Sequence, residues 1–222
     1  MYELFFASFL SAGFAYLLGS ITFAIVITKM FTGKDIRSMG SGNAGMTNVL
    51  RSVGKPAAAL TAIGDILKGT VAVIIGRHIF NWLTDVDPIY GAYIAAIFAI
   101  MGHLFPIYFK FKGGKGVSVA AGSVLAINPT VVGVLIVVFL LVVFTTKIVS
   151  LASITVAALY PVCTGIYTYW QGGNIFMNVI FSSIIGVTVI VMHRANIKRL
   201  LNGTEYKFGQ KRIKNENKKD SL

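Results

Sequence analysis

Acidic side chains are scarce in this chain. Only eight Asp and Glu occur among 222 residues, and they are scattered, so no carboxylate array is available for a catalytic metal. Cysteine is nearly absent: Cys163 stands alone in an apolar run, which excludes an intramolecular disulfide. With His78, His103 and His193 far apart, one thiol also leaves no zinc site. There is no Gly-x-Ser-x-Gly elbow for a nucleophilic serine. Five positions after the three histidines stand Leu83, Tyr108 and Lys198, so a His-x-x-x-x-Asp charge relay is missing. Nucleotide fingerprints are missing too, because Lys115 is followed by Gly116 where a Walker A loop needs Ser or Thr.

Charge of any sign is sparse. Charged residues make up 13% of the chain and hydrophobic ones 55%, with a mean hydropathy of +0.75. A soluble domain carries about twice that charged fraction. Successive apolar runs of about 20 residues predict a polytopic membrane protein. The runs lack the period of barrel strands, so the fold class is all-α, since backbone groups in lipid must bond internally. The net charge of +12 does not point to nucleic acid, because nine of the 20 Lys and Arg lie from Arg194 onward. Most others follow apolar segments in short loops, the positive-inside pattern.

Residues 3–28 read as one retained span, with Lys29, Lys34 and Arg37 after it and no positive charge before it. Its start is therefore expected outside the membrane-bounded compartment. A basic, Gly-rich loop runs from Phe31 to Pro56, and a second span from Pro56 to about Ile79 carries Asp65 and Lys68. These stand at i and i+3, so they can pair on one face. A third span covers Ile89 to about Phe109, and long apolar runs follow at 130–146, 148–170 and 174–193. The short run 117–127, closed by Asn128-Pro129, supplies the crossing that puts both the loop at 110–116 and the basic tail on the inner side. About seven transmembrane helices result, N-terminus outside and C-terminus cytoplasmic; five helices with a re-entrant element at 117–127 is the competing topology.

Three polar clusters converge on the inner side. The first is Gly40-Ser41-Gly42-Asn43-Ala44-Gly45-Met46-Thr47-Asn48-Val49-Leu50-Arg51. Its hydroxyls, amides and terminal guanidinium suit a phosphate, although such a loop can equally cap a helix. The second joins Gly102-His103-Leu104-Phe105-Pro106 to Phe111-Lys112-Gly113-Gly114-Lys115-Gly116-Val117. Successive glycine N–H groups, two lysines and a following helix N-terminus make a phosphate cradle; a plain positive-inside turn is the alternative. The third is His193-Arg194-Ala195-Asn196-Ile197-Lys198-Arg199-Leu200-Leu201-Asn202-Gly203-Thr204-Glu205. A helix would put His193, Asn196 and Arg199 on roughly one face, as would a basic amphipathic helix lying on anionic lipid. Together they read as a cationic, donor-rich pocket without an obvious nucleophile.

These three ordered motifs, with Asp65-Ile66-Leu67-Lys68-Gly69, resemble the bacterial acyl-phosphate:glycerol-3-phosphate acyltransferases, the PlsY family, over nearly the whole chain to Glu205. Ala44 and Met46 stand where that family usually has Ile and Ala. The resemblance implies a single polytopic domain at 1–205, followed by a basic cytoplasmic tail at 206–222. It implies transfer of a fatty acyl group from acyl-phosphate to the 1-hydroxyl of glycerol 3-phosphate, giving lysophosphatidic acid and inorganic phosphate without a cofactor or metal. The expected setting is the bacterial cytoplasmic membrane, with the site on its cytoplasmic side. Partners are the two substrates, membrane lipid and, as a candidate, the enzyme that makes acyl-phosphate.

By the same resemblance, Ser41, Arg51, Lys115, His193, Asn196 and Glu205 are the catalytic positions. Gly42, Asn43, Thr47, His103, Lys112, Gly113, Gly114, Gly116 and Gly203 are the substrate-binding ones. Ser41, Asn43, Thr47 and Arg51 are assigned to the donor's phosphoryl end. Lys115, His103 and Lys112 are assigned to the acceptor's phosphate. His193, Asn196 and Glu205 bind the glycerol or tie the third cluster to the others. His193, Glu205 or a substrate phosphate oxygen can take the proton, and the phosphate oxygen is the expectation. A transporter for a phosphorylated solute and a lipid-binding scaffold are the rival readings.

Overall fold

A computed structural model describes residues 1–207 and contains only helices and loops there. The tail expected from 206 onward lies, from 208 to 222, outside the described residues. Six segments are long and apolar enough to cross a membrane. They comprise the pair α1 (Tyr2–Gly19) and α2 (Phe23–Thr32), then α4 (Lys55–Leu83) and α5 (Pro88–Leu104, extended to Phe109 by a 3-10 turn). The last three are α7 (Pro129–Thr146), α8 (Val149–Gln171) and α9 (Ile175–Met192). Short helices α3 (Met46–Ser52) and α10 (Arg194–Leu201) flank the bundle, and α6 (Val117–Ile127) is the short apolar run.

Local chemistry sets most boundaries. Asp87, Asn128 and Asn174 accept hydrogen bonds from Ile89, Val131 and Met177 N–H groups at 2.9, 3.1 and 3.1 Å, capping α5, α7 and α9. Pro88 and Pro129 occupy first-turn positions, where their missing N–H costs nothing. Pro106 ends α5 at Leu104, earlier than the sequence pattern suggests. Lys147 (φ 62°) and Gly172 (φ 68°) turn the chain left-handed after α7 and α8.

The first span is the main departure from expectation. It is not one helix over 3–28 but two, broken at Ser20-Ile21-Thr22. The break frees backbone carbonyls inside the bundle, and these find side-chain partners. Lys68 Nζ donates to the Ile21 carbonyl at 2.6 Å and pairs with Asp65 Oδ1 at 2.9 Å. His103 Nδ1 lies 3.0 Å from Lys68 Nζ and 3.5 Å from Asp65 Oδ1. The knot therefore joins the α1–α2 break, α4 and α5. The i, i+3 pairing of Asp65 with Lys68 stands as expected.

α6 has 11 residues, about 16 Å of helix, roughly half a bilayer core. It runs beside the second half of α4 at backbone contact. A Cβ on Gly122 would strike the Ile66 carbonyl, and one on Gly69 would strike the Val119 carbonyl. Thr70 Oγ1 donates to the Gly122 carbonyl at 2.9 Å, and Arg77 donates to the Ile127 carbonyl at 3.0 Å, satisfying the α6 C-terminus. At 11 residues α6 is shorter than the six segments that are long enough to cross.

Removing one partner of the knot strands the other charge. Asp65→Asn is expected to lower stability by about 3–5 kcal/mol, and an Asp65→Asn/Lys68→Met double variant by clearly less. Thermal unfolding in detergent checks this; equal losses in the two variants would mean that Lys68 is held by other groups.

Candidate active site

All three clusters line one cavity at one end of the bundle. It has a volume of about 130 Å3, and its walls include Ser41, Asn43, Thr47, Arg51, His103, Lys115, Gly116, His193, Asn196 and Glu205. The first cluster is shaped by Asn48, a residue the sequence reading did not single out. Its side chain accepts the Ser41 N–H at 2.9 Å and donates to the Met39 and Asn43 carbonyls, both at 3.0 Å. That amide cinches the loop, while Gly40 (φ 56°) and Gly42 (φ 73°) supply its left-handed turns. Gly42 therefore shapes the loop and is not part of the cavity wall.

The second cluster works differently from a cradle of glycine N–H groups. Gly113 N–H donates to the Leu104 carbonyl and Gly114 N–H to the His103 carbonyl, both at 3.1 Å, so these donors fold the loop back onto α5. A Cβ on Gly114 would collide with the His103 imidazole, which explains the glycine by close approach. The donors left for an anion are in the first turn of α6, where Val117 and Ser118 line the cavity behind the Gly116 cap (φ 82°). Lys112 is exposed and outside the wall; its carbonyl accepts from Arg37 at 3.3 Å, and Arg37 also bonds the Phe109 carbonyl at 2.7 Å. Arg37 is thus a strut between the first two clusters. His103 reaches the cavity floor, but its Nδ1 is committed to the Asp65–Lys68 knot.

The third cluster centres on Glu205. Its carboxylate accepts from Asn196 Nδ2 at 2.7 Å, Ser150 Oγ at 2.9 Å and Arg199 Nε at 2.6 Å. Burial pushes its pKa up, but the hydrogen bonds from Arg199, Asn196 and Ser150 outweigh burial and hold it below the usual carboxylate value. Lys115 Nζ donates to Asn196 Oδ1, joining the second cluster to the third. His193 Nδ1 lies 2.7 Å from the Val189 carbonyl and, as the carbonyl can only accept, carries the proton. Burial lowers the His193 pKa despite that bond, so near neutrality the ring is uncharged and Nε2 keeps its lone pair. Gly203 (φ 66°) lies outside the wall and turns the chain after α10.

Lys115 records the electrostatics. Burial, then repulsion by Arg199 and Arg51, against attraction by Glu205, brings its pKa down to about 8. Two guanidiniums and an ammonium thus crowd around one carboxylate, a surplus of positive charge that an anion relieves. Ser150 and Ser153, which line the cavity from the start of α8, were within reach of sequence reasoning. They are serines at i and i+3 at the start of a largely apolar helix, next to the turn at Lys147.

The fold and this site define a polytopic membrane protein that gathers cationic side chains around one cavity at one end of its bundle. Comparison with known proteins specifies the class. Residues 9–203 match the family model described as glycerol-3-phosphate acyltransferase. The glycerol-3-phosphate acyltransferase of Clostridioides difficile (strain 630) is 44% identical over 198 residues, covering 89% of this chain and 94% of the relative. That of Neisseria meningitidis (strain DSM 15465 / Z2491) is 40% identical over 202 residues, covering 89% and 96%. Crystal structures of PlsY (YgiH), an integral membrane glycerol 3-phosphate acyltransferase, superpose with TM-scores of 0.79 for the glycerol 3-phosphate form and 0.77 for the lysophosphatidic acid form. Their identities are 37% and 36%; each match covers 91% of this chain, and 96% and 95% of the solved chains. This chain belongs to the glycerol-3-phosphate acyltransferase family.

The lowered Lys115 pKa carries a pH signature. Above pH 8 the ammonium is lost, so affinity for a phosphomonoester, whose second ionisation is complete above about pH 7, is expected to weaken on the order of tenfold from pH 7.5 to 9.5. Lys115→Arg, whose guanidinium stays charged, should flatten that profile. Calorimetric titration of the purified protein reads both; a flat wild-type profile would remove Lys115 from the phosphate.

Proposed function

We propose that the chain transfers a fatty acyl group from acyl-phosphate to the 1-hydroxyl of glycerol 3-phosphate, giving lysophosphatidic acid and inorganic phosphate. The observation that carries this is the cationic surplus of Lys115, Arg51 and Arg199 around Glu205, in a cavity where His193 bonds a carbonyl rather than a serine. Such a site stabilises charge and aligns reactants without a covalent nucleophile. Acyl-phosphate, a mixed anhydride, is activated enough to need nothing more. The solved relatives' glycerol 3-phosphate and lysophosphatidic acid forms support the acceptor and the product.

In the reaction the 1-hydroxyl oxygen attacks the acyl carbonyl, the bond from that carbon to the phosphate oxygen breaks, and phosphate leaves. Ser41, Asn43, Thr47 and Arg51 hold the donor's phosphoryl end, and Lys115 with the first turn of α6 holds the acceptor's phosphate. The polar part of the wall suits the two headgroups and leaves the fatty chain to the apolar part. The chain lies outward past Met46, Val117, Phe139 and Val149, the apolar part of the wall. Glu205 is unsuited to be the base, because every hydrogen bond it accepts stabilises the charged form; it positions Asn196 and Arg199 instead. The attacking hydroxyl passes its proton to a phosphate oxygen of the substrate, with His193 Nε2 accepting a hydrogen bond. The positive-inside distribution of Lys and Arg supports a site on the cytoplasmic side of the membrane, and the bacterial relatives support a bacterial one.

Purified protein in detergent or lipid mesophase, given palmitoyl phosphate and glycerol 3-phosphate, should release phosphate only when both are present. Lys115→Ala and Arg51→Ala are each expected to lose about 100-fold or more of that rate. His193→Ala or Glu205→Gln should leave measurable turnover. No release by folded wild type would reject acyl transfer, and complete loss in His193→Ala with binding intact would make His193 the base.

A further inference from the structure

A lysine ammonium has three N–H groups, and buried Lys68 meets three acceptors. They are the Ile21 carbonyl at 2.6 Å, Asp65 Oδ1 at 2.9 Å and His103 Nδ1 at 3.0 Å. The carbonyl and the carboxylate can only accept, so the third N–H goes to the imidazole. That bond needs a lone pair on Nδ1, because a protonated Nδ1 would set N–H against N–H. Asp65 Oδ1 competes for the same nitrogen from 3.5 Å, beyond the usual N–H···O range. A doubly protonated ring would place two cations side by side in the bundle interior. The ring is therefore neutral, with its one proton on Nε2. Nε2 lies against Gly114, where a Cβ would strike it, one residue before Lys115. His103 is part of the cavity wall, and no described residue accepts from its Nε2.

His193 carries the opposite arrangement, with its proton on Nδ1 and a lone pair on Nε2. One cavity thus holds one imidazole that donates and one that accepts, each set by what its Nδ1 meets. We infer that Lys68 is a positioning residue: it holds His103 in the Nε2–H form, so that this imidazole donates a hydrogen bond to a substrate phosphate oxygen. The inference rests on the reading of the cavity as phosphate-binding. It gives the buried knot a part in recognition as well as in folding, and it excludes His103 as a base. Both substrates present phosphate oxygens, but Nε2 lies beside the loop that carries Lys115, so the phosphate is that of glycerol 3-phosphate.

The test uses the full chain in lipid nanodiscs with isotope-labelled histidine, read by nitrogen NMR; the His103 signals are those missing from His103→Gln. The wild-type spectrum is expected to show an unprotonated Nδ1 and a protonated Nε2 in His103. In Lys68→Met, Nδ1 loses its donor and should take up a proton that Asp65 accepts. Two His103 variants separate affinity from stability. His103→Asn offers Lys68 an acceptor at the place of Nδ1 but leaves no donor at Nε2. It should keep the wild-type melting temperature and raise KM for glycerol 3-phosphate about tenfold. His103→Gln puts an amide N–H near Nε2 and leaves Lys68 short of an acceptor, so it should melt lower yet raise that KM clearly less. A protonated Nδ1 in wild type, an unprotonated Nδ1 in folded Lys68→Met, an unchanged KM in His103→Asn, or a rise confined to palmitoyl phosphate would each overturn the inference. Losses of affinity and stability that run in parallel across the two His103 variants, as a purely structural role demands, would do the same. The wild-type spectrum and the His103 pair leave Lys68 in place, so they decide even where Lys68→Met does not fold. A wild type silent in phosphate release would reject acyl transfer, whereas the spectrum and calorimetric affinity for glycerol 3-phosphate still read this inference.

Discussion

A charged lysine buried in a membrane-spanning helix has to be compensated on several sides, and Lys68 is. Its ammonium meets Asp65, the Ile21 carbonyl and the His103 ring, so three segments far apart in sequence are tied at one depth. That requirement accounts for the interrupted first span, since an unbroken helix would have bonded the Ile21 carbonyl internally. It also anchors His103 near the end of α5, from which the Gly/Lys loop folds back. An uncompensated ion at this depth costs several kcal/mol, so each member of the knot depends on the others.

The cavity follows from that frame. Because the loop at 113–116 is anchored on the His103 and Leu104 carbonyls, Lys115 is held inside rather than spread on the surface. Burial and two neighbouring guanidiniums then make its charge expensive, and Glu205 supplies only partial relief. In the proposed reaction an anion completes the site, and the same crowding that depresses Lys115 favours a phosphate there. Electrostatic preorganisation of this kind suits chemistry on a substrate that is already activated.

Much of the membrane architecture was legible from hydropathy, because lipid imposes length and backbone satisfaction on every crossing. The spans at Lys55–Leu83 and Pro129–Thr146 and the close of the short run at Asn128-Pro129 are examples. The site was legible as three motifs, and Lys115, Arg51, His193, Asn196 and Glu205 do share one cavity. What was misjudged was the work of individual groups. Gly113 and Gly114 are small because backbone and imidazole approach them, and Lys112 faces away. Asn48 and Arg37, which hold the loops in place, were passed over because their partners are backbone carbonyls, and a carbonyl leaves no mark in sequence.

By itself the sequence determined the class: apolar run lengths required a helical bundle. It also supplied the chemical inventory of cations, amides and small residues that resembles one family. Only the tertiary structure decided which of these groups meet. The break at Ser20–Thr22, the close packing of α6 on α4, the pairing of Ser150 with Glu205 and the approach of Tyr206 to two arginines all depend on contacts between distant segments. Periodicity reports how a residue relates to its own helix. The energy of a buried charge depends on every helix packed around it, and that is settled only when the chain has folded.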